Sequence, residues 1–498
     1  MSGNPQKQKP NILIFMSDQQ RGDTIPPYGK AKTPNLDRFC REGLTFSNAH
    51  TISPHCCPSR ATFFSGLYPS QHGVWNNVDV GNTLSRGLYE GVRLWSEDFR
   101  DDGYAMSYHG KWHVSGLEGP EHRGFNEAAS PAAGYRHSRP HTREWAQYES
   151  MNAGSGIDEQ GERQEGQIMR KGYETYAHYG VHEDPFNDRA TVEEAIASLR
   201  KLGSHSSGSP WCLYVGTLGP HDPYFVPQRY LDKYAIDDIE LPPSFNDRMK
   251  DKPGLYRKTR DRFDQLTERE HKEAIRHYLA FCTYEDDLFG QVLVELEQSG
   301  EAENTLVLYI SDHGDYMAEH GLWCKGLPCF RGAYHIPAVI RWPAELKNPG
   351  RIVDAFINLA DFAPTFMEAA SIQTEREFAG RSLMPFIRDG RPEAWREAVF
   401  TQSNGNELYG IQRSIMTKEW KFVYNGFDYE ELYDLREDPH ETRNLFGQEE
   451  YEPVVRLLSE QLWAFARTVD DVCINPYVMV ALAPYGPGSA FRSRATNP

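Results

Sequence analysis

The chain has 498 residues, a quarter of them charged, and a formal net charge of −18. At roughly 150 residues per domain, this length allows one large α/β core with a smaller unit beside it. The acidic balance excludes non-specific binding to nucleic acid or to an anionic membrane surface, and it disfavours a long polyanionic polymer as substrate. No segment approaches the roughly 20 consecutive apolar residues of a membrane span. The eight cysteines show no regular spacing and no C-x-x-C pair. Neither a disulfide framework nor a zinc site is expected from that pattern, and the thiols are expected to be mostly reduced.

Met1 to Pro10 is polar, carries lysines and lacks the apolar stretch of a secretory signal, which implies a cytoplasmic protein. Asn11 to Met16 is a short continuous apolar run, as in a strand covered on both faces. Thr33-Pro34 offers an N-cap and a proline at the first helical position. Val92 to Asp102 has helical periodicity, Gly103 stops it, and Tyr104 to His109 reads as a strand. Arg189 to Leu202 is amphipathic and leads to the strand Trp211 to Thr217. Thr267 to Gln298 predicts a long helix with a break near Gly290. Thr305 to Ile310 and Ile336 to Arg341 are two further buried-type strands. This alternation predicts an α/β fold with a large, mostly parallel sheet flanked by helices. From about Glu375 the pattern changes. Ala398–Gln402, Arg413–Thr417 and Trp420–Tyr424 suggest a small antiparallel sheet, with a helix over 450–468. The expected division is a catalytic α/β domain over 1–374, a small α+β subdomain over 375–470 and a tail over 471–498.

Ligand chemistry in doubly wound folds gathers beyond the carboxyl ends of the strands. The four relevant exits carry Ser17-Asp18-Gln19-Gln20, Gly110-Lys111-Trp112-His113, Gly219-Pro220-His221-Asp222-Pro223 and Ser311-Asp312-His313-Gly314-Asp315. Each has an ordinary structural explanation by itself: a capping aspartate, a hydrogen-bonded core histidine, a solvated lysine. Four such groups at strand ends are harder to attribute to packing. His55-Cys56-Cys57-Pro58-Ser59-Arg60 opens a helix. An anion placed there meets free backbone N–H groups, the positive end of the helix dipole and the Arg60 fork. The competing explanation is a buried cysteine pair at a helix start. Asp18 and Asp312 can hold a divalent cation through hard oxygens, with Gln19 and His313 completing the shell. Lys111, Arg60 and Lys325 add positive charge, and His113 and His221 can move protons near neutral pH. The set suits hydrolysis of a small anionic ester.

These residues resemble the type I, formylglycine-dependent sulfatases of the alkaline-phosphatase-like superfamily. Cys56-Cys57-Pro58-Ser59-Arg60 is similar to the family's maturation motif, and Gly66-Leu67-Tyr68-Pro69 to the stretch just after that motif. Gly110-Lys111-Trp112-His113, Pro220-His221-Asp222-Pro223, Asp312-His313-Gly314, Glu319-His320-Gly321-Leu322-Trp323 with Lys325, and Glu431-Leu432-Tyr433-Asp434 resemble further family blocks in order. The resemblance implies that a formylglycine-generating or equivalent maturation enzyme oxidises Cys56 to formylglycine, with Cys57 at the variable position. One hydroxyl of the hydrated aldehyde would then attack sulfur, with His221 protonating the leaving oxygen. His113 would take the proton of the second hydroxyl as sulfate is expelled. The resemblance also implies that Arg60 and Lys111 hold the aldehyde hydrate, that Lys325 binds sulfate oxygens and that Asn77, rather than Asn76, contacts the transferred group.

Two departures narrow the resemblance. Asp18 is followed by Gln19 where many relatives pair two aspartates, and Asp312 is followed by His313 where many have asparagine. Calcium is the expected ion, with manganese as the alternative. The variant resembles the subgroup of choline sulfatases and phosphonate monoester hydrolases. Hydrolysis of phosphonate monoesters or phosphodiesters is therefore the alternative activity, and a catalytically silent metal-binding homologue with unconverted Cys56 the alternative of another class. Arg136, His137, Arg139, His141 and Arg143 form a basic cluster that lines a leaving-group pocket or is a solvated loop, and 228–266 is a second charged insertion. The apolar stretch Val478–Leu482 suggests docking on the chain itself or a homo-oligomer.

Overall fold

The computed structural model describes residues 9–492 except 81–82, 130–161, 170–175, 205–208, 389, 391, 393, 407, 476 and 478–481. The basic cluster at 136–143 and most of the apolar stretch at 478–482 lie outside the described residues. The first apolar run forms β1 (Asn11–Ser17). Around it are β2 (Leu44–His50), β3 (Ala105–Gly110), β4 (Glu127–Ala129), β5 (Trp211–Gly216), β6 (Thr305–Ser311), β7 (Ala338–Arg341) and β8 (Arg351–Asn358). They form one eight-stranded sheet in the order β8, β2, β7, β6, β1, β5, β3, β4. All pairings are parallel except the two that β7 makes with β6 and β2. Strands β2 and β8 escape a sequence reading. Leu44-Thr45-Phe46-Ser47-Asn48-Ala49-His50 alternates only over its first four residues and does not run apolar, yet tertiary packing buries most of it, and the first half of β8, Arg351-Ile352-Val353-Asp354, is only partly buried.

Residues on the two faces of each central strand divide between two cores. Ile12, Ile14, Met16, Leu306, Leu308 and Ile310 pack with α2 (Cys56–Ser65), α3 (Trp95–Asp101) and α6 (Phe362–Ala369) through Phe63, Phe64, Trp95 and Phe366. Leu13, Phe15, Val307 and Tyr309 pack with α1 (Pro34–Glu42), α4 (Asp188–Ser204) and α5 (Glu268–Ser299) through Phe39, Val192, Phe281 and Phe289. Both faces being covered explains why the central strands read as continuous apolar runs.

Gly290 does not break α5, which is continuous over Glu268–Ser299. A Cβ there would stand 2.5 Å from the Asn35 side chain. The glycine therefore marks a close helix crossing rather than a stop. The start of α1 also departs from its sequence reading. The Thr33 hydroxyl turns to Asp37, and the Asp286 carboxylate of α5 accepts the backbone N–H groups of Asn35 and Leu36 at 3.1 and 2.7 Å. One helix thus caps another.

The smaller sheet is the antiparallel meander β9 (Val399–Gly405), β10 (Tyr409–Met416), β11 (Trp420–Asn425) and β12 (Glu431–Asp434). Helix α7 (Glu452–Thr468) lays Leu458, Leu462 and Trp463 on Ile415, Phe422 and Leu432. Part of the tail docks on its own chain: Trp463 Nε1 donates to the Tyr485 carbonyl at 2.7 Å, and Ala490 joins the same core.

Candidate active site

Register assembles the site. β1 and β6 pair in parallel from Asn11 with Thr305 to Ser17 with Ser311, so the next residues, Asp18 and Asp312, emerge side by side. β5 and β3 finish level with them, Gly216 opposite both Met16 and Gly110. Gly110 has φ +94, and a Cβ on it would lie 1.9 Å from the Gly216 carbonyl oxygen. Only glycine lets the chain turn there and deliver Lys111 into the site. From one side of the sheet comes the N-terminus of α2, every residue of which is buried. Cys56 and Arg60 are one turn apart on that helix and share a face.

Arg60 is wholly buried. Its Nε donates to Asp312 Oδ2 at 2.8 Å and Nη2 to Asp18 Oδ2 at 3.1 Å, while Nη1 donates to the Lys111 carbonyl at 2.8 Å. Lys111 Nζ donates to Asp18 Oδ2 at 2.6 Å. Two cations thus hold two buried carboxylates together. Burial and the neighbouring Cys56 thiolate would raise the Asp18 carboxyl, but Lys111, His221 and Arg60 outweigh them and hold it well below the usual carboxylate range. Burial acts against the charge on Lys111, and Asp18 and Cys56 more than compensate, raising it above an ordinary lysine. In this structure the Arg60 fork braces the carboxylates.

His313 Nδ1 lies 2.9 Å from the Gly314 carbonyl, which only accepts, so Nδ1 carries the hydrogen. Nε2 faces Asp18 Oδ1 and Asp312 Oδ1, each 3.7 Å away, and Cys56 Sγ at 3.2 Å. Ligand atoms of Asp18, Cys56, Asp312 and His313 lie within 4.8 Å of one another. Two carboxylates and an imidazole with its tautomer fixed by a backbone carbonyl are a donor set for a divalent cation. Gln19, whose φ is +66, stands next to this cluster with its amide engaged. Its Oε1 accepts from Lys325 Nζ at 2.5 Å, and its Nε2 donates to Asp315 and Asp222 at 2.6 and 3.2 Å.

His221 Nδ1 donates to the Asp222 carbonyl at 2.6 Å, which leaves Nε2 to accept from Lys325 Nζ. The loop bearing His221 is tied down by Asp188 at the start of α4, whose carboxylate accepts the backbone N–H groups of Leu218 and Gly219, both at 2.8 Å. The Gly219 carbonyl in turn accepts the Asp18 backbone N–H at 3.1 Å. His113, in a left-handed conformation at φ +50, pairs its Nε2 with Asp79 Oδ1 at 3.0 Å. Its Nδ1 is enclosed and free of a hydrogen-bond partner, and the ring stands beside the Cys56 and Cys57 thiols. Asn77 Oδ1 accepts the Cys57 backbone N–H at 3.1 Å, whereas Asn76 is fully buried and holds Thr83 and Leu84.

The structure therefore brings all eleven candidate residues to one end of the sheet. Sequence reasoning missed Asp79, Asp188 and the roles of Asp222 and Asp315. The last two lie within the strand exits that carry His221 and Asp312. Asp79 and Asp188 sit in segments without a motif and act only through the groups that folding places beside them.

Comparisons with known proteins agree with this architecture. The C-terminal region of N-sulphoglucosamine sulphohydrolases matches residues 318–468. An arylsulfatase of Clostridium perfringens is 28% identical over 91% of this chain and 94% of its own length. A choline-sulfatase of Rhizobium meliloti is 29% identical over 88% of this chain and 82% of its own. The crystal structure of the phosphonate monoester hydrolase of Agrobacterium radiobacter superposes with a TM-score of 0.74 at 22% identity, covering 96% of this chain and 99% of that one. Since the Sulfatase family itself matches residues 10–372, the exits of strands β1, β3, β5 and β6 and the start of α2 all fall within the match, and the chain belongs to the sulfatase family of hydrolases.

Proposed function

We propose that the protein hydrolyses a small sulfate monoester to an alcohol and sulfate, with Cys56, converted to formylglycine, as nucleophile. The observation that carries this reading is the placement of Cys56 Sγ 3.2 Å from His313 Nε2 and 3.9 Å from Asp18 Oδ1. Sγ marks the position that the formylglycine oxygens would take. A divalent cation between Asp18, Asp312 and His313, with Gln19 at the edge of the shell, would lower the pKa of the attacking hydroxyl and offset substrate charge. The imidazole donor favours manganese over calcium, which prefers an all-oxygen shell.

The chain's own residues supply the rest. Arg60 fixes both carboxylates, and together with Lys111 it keeps Asp18 ionised. Lys325 stands between Gln19 and His221, where it faces the sulfate oxygens and the leaving group. His221 and Lys325 form the proton-delivering pair for the leaving oxygen. On the opposite side, His113 presents an unengaged Nδ1 to the nucleophile, held by Asp79, and acts as the proton acceptor for breakdown. Asn77 keeps its amide nitrogen for the transferred group while its oxygen caps α2.

Phosphonate monoesters are the second substrate class. The Gln19–His313 pattern supports it through its resemblance to the subgroup of choline sulfatases and phosphonate monoester hydrolases. Turnover of an aryl sulfate and of the matching phosphonate ester, each with Cys56→Ala as control, ranks the two. Activity is expected to vanish in the variant, and an unchanged rate would remove Cys56 from the mechanism. Peptide mass spectrometry across 51–60 reports conversion independently, and a wholly unmodified thiol in chain isolated from its native host would leave the formylglycine reading without its nucleophile.

A further inference from the structure

The chemistry above gives Cys57 no task. The residue is fully buried at the second position of α2, and its sulfur accepts the Val78 backbone N–H at 3.4 Å. Residues 57, 79 and 113 are far apart in sequence, and no spacing pattern links them. The fold nevertheless brings a ligand atom of Cys57, one of Asp79 and one of His113 within 4.8 Å of one another. The carboxylate side of this group reaches solvent, with side-chain exposures of 25% for Asp79 and 15% for His113. His113 Nδ1 is buried without a hydrogen-bond partner. His113 itself adopts a left-handed backbone conformation at φ +50, a strained state of the kind that clusters at functional sites.

We propose that Cys57, His113 and Asp79 form a second divalent-metal site, one that takes soft or borderline cations of the zinc class, and that an ion bound there inhibits the hydrolase. Sulfur, nitrogen and oxygen donors from three side chains, with a fourth position open to solvent, are the pattern of an open zinc site. A thiolate selects against calcium, magnesium and manganese, so the hard ion of the Asp18, Asp312 and His313 centre does not compete for it. On binding, the Cys57 thiol gives its proton to solvent and its sulfur bonds the metal, while the hydrogen that His113 Nε2 shares with Asp79 moves to Nδ1 so that Nε2 bonds the same ion. The inhibitory half of the proposal rests on the reading of His113 as proton acceptor, because a metal on Nε2 leaves the hydrogen on Nδ1 and removes the lone pair that the reaction needs.

Cadmium is the probe, since its bond to thiolate absorbs in the ultraviolet. Matured holoenzyme, with its resident hard dication in excess, is titrated with cadmium while absorption and aryl sulfate turnover are recorded together. The wild type is expected to gain the band and lose turnover in parallel. Cys57→Ser keeps the Val78 contact and is expected to retain basal turnover, lose the band and need roughly 100-fold more cadmium for inhibition, at the upper end of what even outer-shell partners cost when removed. Cys57→Ala replaces it if the serine variant folds poorly. No band in the wild type, or a band and inhibition unchanged in the Cys57 variant, overturns the site. A Cys57-dependent band with full turnover keeps the site and overturns both its inhibitory effect and the role given to His113.

Discussion

His221 shows how one side chain acquires a role from its neighbours. Its Nδ1 is fixed by the Asp222 carbonyl and its Nε2 faces Lys325, so the ring has one direction in which to pass a proton. His221→Ala is expected to lower kcat by about 10²–10⁴-fold for an alkyl sulfate, the usual range for lost general acid catalysis. The loss should be much smaller for a nitrophenyl sulfate, whose leaving group needs no proton. Steady-state rates with the two esters check this, and equal losses would deny His221 the acid role. At the same scale, Arg60 shows that a motif names a side chain but not its partners. Its guanidinium binds the two carboxylates and the Lys111 carbonyl, and so shapes the candidate metal centre.

The connection of α4 and α5 to the active-site loop carries a pH dependence. Asp188 of α4 and Glu285 of α5 are both fully buried, and both Glu285 oxygens lack a hydrogen-bond partner. Burial, reinforced by Asp184 and Asp18, raises the Asp188 carboxyl from 3.8 to about 7, and burial with Asp188 beside it raises Glu285 further above its ordinary value. The folded chain therefore binds more protons here than the unfolded chain does. The stability this contributes is complete below about pH 4 and is lost as pH rises through about 7. Glu285→Gln keeps the shape and removes the second ionisation. Relative to wild type, it is expected to be more stable at about pH 8 than at about pH 5. Urea denaturation at the two pH values measures the difference, and a constant offset would show that the pair does not titrate in this window.

At the scale of the whole molecule, the smaller sheet helps to build the site. Asn406 Oδ1 accepts the Asn77 backbone N–H at 2.9 Å, and Gln402 N donates to the Ile52 carbonyl at 2.9 Å. Gln402, Ser70, Asp471 and Arg413 continue that contact inward. Arg413 and Asp471 form an ion pair with side chains 1% and 0% exposed. Removing one member leaves a buried, unpaired charge, which costs about 3–5 kcal/mol. Arg413→Ala is expected to lose that much stability in chemical denaturation and to lose turnover with it, since the sheet no longer supports the segment around Asn77. A variant with wild-type stability would show that the pair is not integral to the fold.

Much of the fold and of the site was legible because local chemistry marks it. Continuous apolar runs identify the doubly covered strands β1, β5 and β6, and strand exits carry Asp18, Lys111, His221 and Asp312 whatever the rest of the chain does. The start of α2 is written in Cys56-Cys57-Pro58-Ser59-Arg60. Strands β2 and β8, the capping of α1 by Asp286 and the close crossing at Gly290 were not legible, because each depends on a neighbour distant in sequence. The same holds for Asp79, Asp188 and Cys57. The chain by itself determined which groups exist and at which strand ends they emerge, since short-range periodicity sets both. Only the tertiary structure decided which lone pair faces which proton, because hydrogen-bond direction and parallel register are properties of packed neighbours.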